Sequence, residues 1–293
     1  MDQTLPKISV VTPCRNGAAF LEQTLASVAM QAYPSLEHVF VDGGSTDGTM
    51  AIVERHRDRF AAVVCEPDEG MYDAINKGFA RTSGDVMAWL NADDIWLPGT
   101  LMAIGRIFAT LPDVEWISTA FPAAIDEFGA TVKMNRFSGF SRAGFLAGEN
   151  LAGAGWWSPG YIQQESTFWR RSLWERAGGR VESKLKLAGD FELWARFFRH
   201  AELWAVDVPL ACWRRHRAQQ TSTVFERYVK EAAEVFRAEG GAPIGDRRAR
   251  MRHAARSFAP PRARPFLTRI GLIEPRPWIS YDWVAETWRA TRR

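Results

Sequence analysis

Residues 86–94 read Val86-Met87-Ala88-Trp89-Leu90-Asn91-Ala92-Asp93-Asp94. The apolar run at the start is typical of a buried strand, and it ends at two adjacent carboxylates. In an open α/β sheet, ligands bind beyond the carboxyl ends of the strands, so this stretch marks a candidate site. Adjacent carboxylates repel each other unless a cation offsets their charge, and Mg²⁺ is often held by one or two carboxylates together with substrate phosphates. One interpretation of the pattern is a site in which Asp93 and Asp94 hold a metal diphosphate. A strand-to-loop turn, where Asp is also common, is the alternative.

Strand-like and helix-like segments alternate on both sides of this stretch. Apolar runs at residues 7–12, 36–41, 61–65 and 86–90 are separated by segments with helical spacing. This alternation predicts a parallel, doubly wound sheet. The runs end at polar residues, which are Thr12, Asp42, Glu66 and the segment 91–94. Because the carboxyl ends of parallel strands meet at one edge, these side chains converge on one crevice, which favours a nucleotide site over an ordinary turn.

The composition is that of a globular protein with one large or two ordinary domains. The chain has 293 residues, of which 46% are hydrophobic and 24% are charged. Its three cysteines are too few and too scattered for a disulfide framework or a zinc site, and this usage fits a reducing cytoplasm. The first residues lack the pattern of a signal peptide, and no apolar run approaches the roughly 20 residues that span a bilayer.

The charge is distributed unevenly along the chain. Residues 247–293 contain 12 Arg and three acidic residues, a net charge of +9, whereas the rest of the chain carries −6. Arginines interleaved with aromatic and aliphatic residues suit the surface of an anionic membrane. A tail packed on the body of the protein, or a disordered tail, is an equally good interpretation. Nucleic-acid binding is a third, but no recognition motif accompanies the charge.

Four segments together resemble the family 2 glycosyltransferases. They are Ser9-Val10-Val11-Thr12-Pro13-Cys14-Arg15-Asn16, Val41-Asp42-Gly43-Gly44-Ser45-Thr46-Asp47-Gly48-Thr49, residues 66–78 and Leu90-Asn91-Ala92-Asp93-Asp94. The resemblance covers roughly residues 7 to 220 and is greatest for the bacterial branch that builds cell-surface polysaccharides and glycolipids. These are inverting enzymes of the GT-A fold.

The resemblance implies a fold and a domain organisation. The expected fold is α/β of the GT-A type, a Rossmann-like doubly wound, mostly parallel sheet with helices on both faces, plus a C-terminal extension. We expect a catalytic domain at residues 1–225, with a nucleotide-binding half at about 1–110 and an acceptor-binding half at about 111–225. Residues 226–293 are expected to form a helical, Arg-rich extension.

The resemblance also implies roles for individual residues in donor binding. Asp42 matches the acid that hydrogen-bonds the base, and Asp94 matches a direct metal ligand, with Asp93 nearer the sugar and ribose. The other implied donor-binding residues are Thr12, Pro13, Arg15, Asp68, Lys77, Asn91 and, through a looser match, Arg214 and His216. Relatives often have Asp-Asp where Asp42-Gly43 stands, so Asp42 is expected to recognise the base alone. For His216, a solvated basic patch is the preferred interpretation.

Other residues are expected to act on the acceptor. By resemblance, Asp190 in Ala188-Gly189-Asp190-Phe191 is the general base. Partial desolvation beside apolar Phe191 would raise its basicity, and a helix N-cap is the alternative. Trp156 and Trp157 in a Gly-rich loop are candidates for the acceptor site, with a place in the core as the alternative. Gln164 is a further acceptor candidate, although the His that relatives often carry before this Gln is absent.

The expected activity is metal-assisted, inverting transfer of a sugar from a nucleotide-sugar, expected to be a UDP-sugar, to a hydroxyl of a glycan or lipid-linked acceptor. Mg²⁺ or Mn²⁺ is the expected cofactor, and nucleic acid is not an expected partner. The expected location is the cytoplasm or the inner face of the plasma membrane. The alternative is a catalytically silent nucleotide-sugar binding or scaffold protein on the same fold. A nucleotide-dependent oxidoreductase is disfavoured because the G-x-G-x-x-G spacing is missing.

Overall fold

The computed structural model describes residues 4–151, 160–216 and 225–293. Its first half contains β1 Ile8–Cys14, α1 Leu21–Ala29, β2 Leu36–Asp42, α2 Thr49–Arg55, β3 Ala62–Cys65, α3 Met71–Phe79, β4 Val86–Trp89, β5 Ile95–Trp96, α4 Thr100–Thr110, β6 Trp116–Thr119, β7 Ala123–Ile125, β8 Thr131–Met134 and α5 Arg142–Leu146. The second half contains β9 Phe168–Arg170, α6 Arg171–Arg176, α7 Gly189–His200, β10 Leu203–Val206, β11 Ala211–Arg214, α8 Phe225–Ala238, α9 Asp246–Phe258, α10 Arg264–Arg269, β12 Pro277–Asp282 and β13 Thr287–Arg292.

The main sheet has nine strands in the order β13-β12-β10-β6-β9-β4-β1-β2-β3. Strands β4, β1, β2 and β3 pair in parallel, as do β6, β10 and β12. Strand β9 lies antiparallel between β4 and β6, and β13 is antiparallel to β12 at the edge. The predicted α/β class with a mostly parallel, doubly wound sheet is confirmed.

Both faces of the main sheet are buried. On β1, Val11 belongs to one hydrophobic cluster and Val10 to another, and on β4 Trp89 and Ala88 divide in the same way. Because successive side chains of a strand point to opposite faces, each cluster lies on one face of the sheet. Two buried faces are the usual state of a parallel sheet.

An aromatic stack fixes α7 against the carboxyl end of β4. The rings of Trp89 and Trp194 lie 5.8 Å apart and are nearly parallel, with an interplanar angle of 8°. Trp169 of β9 meets both rings edge-on, at 5.6 and 5.7 Å. All three side chains are almost completely buried. The stack thereby holds the start of α7, which carries Asp190, in a fixed relation to the loop after β4.

A second sheet, in the order β5-β11-β7-β8, lies next to the loop after β4. Strand β5 begins one residue after Asp94, and it pairs antiparallel with β11, which ends at Arg214. This pairing brings together Asp94 and Arg214, which are 120 positions apart in the sequence.

The sequence predicted a helical C-terminal extension, but the extension also contains two strands. Helices α8, α9 and α10 are followed by the β12–β13 hairpin, which joins the main sheet beside β10. The hairpin buries Trp278, Ile279 and Trp288, and this apolar surface explains why an Arg-rich segment packs on the body. Within the described residues, no helix is both long and apolar enough to cross a membrane.

Candidate functional site

Asp94 is buried and held by the protein on both of its oxygens. Its Oδ1 accepts the backbone N–H of Arg214 at 2.8 Å, and its Oδ2 accepts the side-chain amide of Asn91 at 3.3 Å. The Thr24 hydroxyl fixes the same loop, 2.9 Å from the carbonyl oxygens of both Ala92 and Asp94. Burial raises the pKa of Asp94 well above its usual value, and the neighbouring Asp93 carboxylate adds to the shift. A nearby cation would therefore stabilise the ionised form.

Asp93 is the more open of the two carboxylates. Its side chain keeps 30% of its surface exposed, and its Oδ2 lies 3.0 Å from His216 Nε2. The ring of His216 packs against Phe20, with the ring centroids 4.6 Å apart. The structure thus brings His216 to the acidic pair and gives it a carboxylate partner.

Arg214 supports the loop that carries Asp93 and Asp94. Its side chain is fully buried, and the guanidinium lies 4.8 Å from the centre of the Phe20 ring. Its Nε donates to the Asp93 carbonyl at 2.7 Å, and its terminal nitrogens donate to the carbonyls of Asp126 and Glu127 and to Gln23. These four hydrogen bonds use most of the donors of the guanidinium, so its evident role is to position the Asp93 backbone.

A second acidic group lies at the end of β2. Asp42 Oδ2 accepts the backbone N–H groups of Gly44 and Ser45, at 3.0 and 2.9 Å, whereas the buried Oδ1 has no hydrogen-bond partner. The Asp68 carboxylate packs against Gly43 so closely that a Cβ at that position would overlap it. Where relatives often have a second Asp, this chain therefore places the Asp68 carboxylate beside Asp42.

The other predicted donor-binding residues are placed as follows. The Thr12 hydroxyl lies 2.9 Å from His38 Nε2, and burial lowers the pKa of His38 to about 4, so that this imidazole is neutral. Pro13 is buried in β1, while Arg15 is exposed in the loop that follows. Lys77 pairs with Asp73 at 2.9 Å and donates to the Pro67 carbonyl at 2.7 Å, which braces the loop that carries Asp68.

Asp190 lies in the first turn of α7 and is half-buried, with its Oδ1 atom fully enclosed. The N-cap residue is Ala188, so the alternative interpretation of Asp190 as the N-cap does not hold. The segment that leads into α7 is fixed by Glu231 of α8, whose Oε2 accepts the backbone N–H groups of Lys186, Leu187 and Ala188. Asp190 Oδ1 has no hydrogen-bond partner, and burial raises the pKa of Asp190 to about 6. A half-buried carboxylate with an unpartnered oxygen and a raised pKa suits a proton acceptor.

Glu165 is a further buried carboxylate, which the predictions from the sequence did not include. It lies in a short 3-10 turn, Gln164–Ser166, and its Oε1 has no hydrogen-bond partner. Burial raises its pKa to about 8, and the charges of Asp190 and Asp93 add to the shift, so Glu165 stands within electrostatic reach of both. The sequence signal was an acidic residue inside the segment Gln163-Gln164-Glu165-Ser166, which had been singled out for the missing His.

Gln164 fixes this turn to the strand that carries the acidic pair. Its Nε2 donates to the Trp89 carbonyl at 2.6 Å, and its buried Oε1 has no partner. The indole N–H of Trp96 donates to the Glu165 carbonyl at 2.9 Å. The turn therefore lies against β4 and β5. The other acceptor candidates, Trp156 and Trp157, lie outside the described residues.

The carboxylates do not form an all-protein metal site. Within the described ranges, no group of three or more His, Cys, Asp or Glu side chains is arranged to hold a metal ion. Asp93 and Asp94 provide two adjacent carboxylates, one of them partly open. This donor set fits a hard divalent ion that takes its remaining oxygens from water and substrate phosphates.

Comparisons with known proteins identify the family of the chain. The model of the family described as "Glycosyl transferase family 2" matches residues 9–176. A Mycobacterium tuberculosis protein described as an uncharacterized glycosyltransferase is 29% identical over 211 residues, which cover 71% of this chain and 73% of the relative. The putative teichuronic acid biosynthesis glycosyltransferase TuaG of Bacillus subtilis is 37% identical over 94 residues, 31% of this chain and 37% of that protein. The match to another curated relative covers 36% of this chain and 33% of the length of that relative.

Among solved structures, the fold is similar to that of residues 1–349 of S. aureus TarS in complex with UDP-GlcNAc. The TM-score is 0.63, the sequence identity is 17%, and the superposition covers 91% of this chain and 76% of that chain. At this identity the similarity supports the shared fold.

Proposed function

The chain belongs to glycosyl transferase family 2, and on that premise we propose that it transfers a sugar from a nucleotide-sugar to a hydroxyl of a glycan or lipid-linked acceptor, with inversion. The observation that carries this proposal is the Asp190 carboxylate, whose buried Oδ1 has no hydrogen-bond partner. The charges of Asp190 and Asp93 both raise the pKa of Glu165, so both lie within electrostatic reach of Glu165. The relation to TuaG supports a product among bacterial cell-surface polysaccharides.

The proposed donor is a UDP-sugar bound along the edge formed by β1, β2 and β4. The unpartnered Oδ1 of Asp42 is an acceptor suited to an N–H of the base, and Asp68 beside it suits the ribose hydroxyls. The complex of S. aureus TarS with UDP-GlcNAc supports a donor of this class.

Asp93 and Asp94 are the residues proposed to hold Mg²⁺ or Mn²⁺ together with the donor diphosphate. The ion would supply Lewis-acid stabilisation of negative charge on the departing nucleoside diphosphate. Arg214 positions the Asp93 carbonyl and, through its backbone N–H, the Asp94 carboxylate. His216 holds the Asp93 side chain in place.

Asp190 is proposed to take the proton from the acceptor hydroxyl as it attacks the sugar. With a pKa of about 6, most of its population is ionised at neutral pH and is still basic enough to accept a proton. Glu165, with a pKa of about 8, is mostly protonated at the same pH. A neutral Glu165 limits the negative charge near Asp190.

The alternative function is nucleotide-sugar binding without transfer, and one observation favours it. Both oxygens of Asp94 are already engaged by the protein, which leaves Asp93 as the more open carboxylate. Release of nucleoside diphosphate from a panel of UDP- and GDP-sugars, in the presence of candidate glycan and lipid-linked acceptors and with either Mn²⁺ or EDTA, separates the two functions. Turnover of one donor that EDTA abolishes supports the transferase. Donor-dependent thermal stabilisation without any release supports a binding protein and contradicts the transferase.

A further inference from the structure

A cleft of about 370 Å³ lies between the segment after β8, helices α9 and α10, and the start of the β12–β13 hairpin. Its lining contains four arginines and one acidic residue, and the residues that matter here are Arg136, Arg256, Arg264, Arg293, Trp278 and Glu274. We call it the arginine cleft. It takes in three of the arginines that give residues 247–293 their positive charge, so part of that charge is gathered into one concave site.

Behind Arg256, which lines the arginine cleft, the buried charges are more positive than negative. Glu149 is buried and pairs with two buried arginines, Arg256 at 2.9 Å and Arg276 at 2.5 Å. The Nε atoms of both arginines are buried without a hydrogen-bond partner. One carboxylate thus faces two guanidinium groups, and burying an unbalanced charge is costly. An anion bound in the cleft would offset this excess.

The wall of the cleft presents hydrogen-bond donors. Trp278 is buried and its indole N–H has no partner. The guanidinium of Arg293 lies 4.8 Å from the centre of this indole, and that of Arg136 lies 5.9 Å away. Both arginines are held by Asp207, at 3.1 and 3.5 Å. The one acidic lining residue, Glu274, is engaged by the Ser141 hydroxyl at 2.7 Å.

The arginine cleft lies against other strands of the main sheet than the acidic site. The backbone N–H of Phe137 donates to the Ala120 carbonyl, one residue after β6 ends, and Trp278 at the start of β12 pairs with Ala205 of β10. The acidic site lies at the ends of β1, β2 and β4, and β9 lies between β4 and β6 in the strand order.

We propose that the arginine cleft is a binding site for a phosphate group, separate from the site that takes the donor. Guanidinium and indole groups only donate hydrogen bonds, so the ligand must supply acceptors. The four cleft arginines come from the segment after β8, from α9, from α10 and from the residue after β13. A tetrahedral phosphate offers oxygens in several directions, whereas a carboxylate offers two oxygens. The phosphate belongs either to a soluble phosphoester or to a lipid headgroup, and the experiment below distinguishes these sources.

The experiment compares three forms of the full chain. The double variant Arg136→Gln/Arg264→Gln removes two exposed cleft arginines and leaves the buried Glu149 pairs intact. The control Arg248→Gln/Arg262→Gln removes the same charge from exposed positions of the extension outside the cleft lining. Affinity for inorganic phosphate is measured by calorimetry at constant ionic strength, with and without saturating UDP, and circular dichroism checks that all three proteins are folded.

The expected result is that the wild type and the control bind phosphate in the presence of UDP, and that the cleft variant binds at least about tenfold more weakly. Equal affinity in all three proteins, no binding, or displacement of phosphate by UDP would overturn the proposal. Co-sedimentation with phosphatidylglycerol and phosphatidylcholine vesicles then identifies the source. Loss of anionic-vesicle binding in the cleft variant alone assigns a lipid phosphate, and phosphate binding without vesicle binding assigns a soluble phosphoester.

Discussion

The acidic site and the arginine cleft lie against different strands of one sheet and have opposite charge. At the acidic site, Asp93 and Asp94 are neighbouring carboxylates, and Asp42 and Asp190 each have a buried oxygen without a hydrogen-bond partner. In the arginine cleft, two buried arginines share one glutamate, and further arginines line the opening. Each region is electrostatically incomplete by itself, since the first favours a cation and the second an anion. A net charge of +3 therefore conceals two local sites of opposite sign.

The largest effect on stability is expected from the buried charges behind the arginine cleft. Glu149→Gln leaves Arg256 and Arg276 buried beside each other without a counter-charge, and loss of one partner of a buried pair costs about 3–5 kcal/mol. Urea unfolding measures this loss. The matched control is Glu202→Gln, which removes the exposed partner of Arg292 and should cost no more than about 1 kcal/mol. Equal losses in the two variants would show that Glu149 is not needed to balance buried charge.

The next largest effect is expected at the end of β2. Asp42→Asn keeps an oxygen for the N–H groups of Gly44 and Ser45 but replaces the unpartnered Oδ1 with an N–H donor. An N–H of the base would then meet a donor, and affinity for UDP should fall by about 10–100-fold, which is the effect of an unpaired buried polar group. Calorimetry with UDP checks this, with the exposed Asp58→Asn as control. Unchanged UDP affinity in Asp42→Asn would remove Asp42 from the donor site.

A smaller effect, which depends on pH, is expected at Glu165. Its pKa is about 8 in the folded protein and lies near the ordinary carboxyl value in the unfolded chain, so between these values the folded state binds a proton that the unfolded state does not. Its contribution to stability is therefore lost as the pH rises through this window, at a rate of at most about 1.4 kcal/mol per pH unit.

Glu165→Gln removes this titration. The variant should gain stability relative to the wild type as the pH increases from 5 to 8, as measured by urea unfolding at several pH values. The exposed Glu69→Gln is the control and should follow the wild type at every pH. Parallel curves for Glu165→Gln and the wild type would contradict a buried, protonated Glu165.

The acidic edge could be predicted from the sequence because its information is local. The strands of residues 8–14, 36–42 and 86–89 are apolar runs, and polar residues directly follow or close each of them. Once the alternation with helices predicts a parallel sheet, the meeting of Asp42, Asp93 and Asp94 at one edge follows from topology.

Other parts of the site could not be predicted because they depend on contacts between distant segments. The Arg214 backbone N–H reaches Asp94 across 120 residues, through pairing of the short strands β5 and β11. The burial of Glu165 is a property of the packed turn against β4 and β5, and no local pattern distinguishes it from an exposed Glu. The same holds for the arginine cleft, since sequence shows how many arginines the extension has but not which of them face one another.

The most direct test of the account is the rate of sugar transfer by Asp190→Asn at saturating donor, measured together with donor affinity. We predict that turnover falls by about 10²–10⁴-fold, because the acceptor hydroxyl loses its base. Donor affinity and the melting temperature should stay close to those of the wild type. The exposed Asp113→Asn serves as the matched control and should transfer sugar at the wild-type rate. Turnover by Asp190→Asn within a few-fold of the wild type would contradict the central claim that Asp190 accepts the proton.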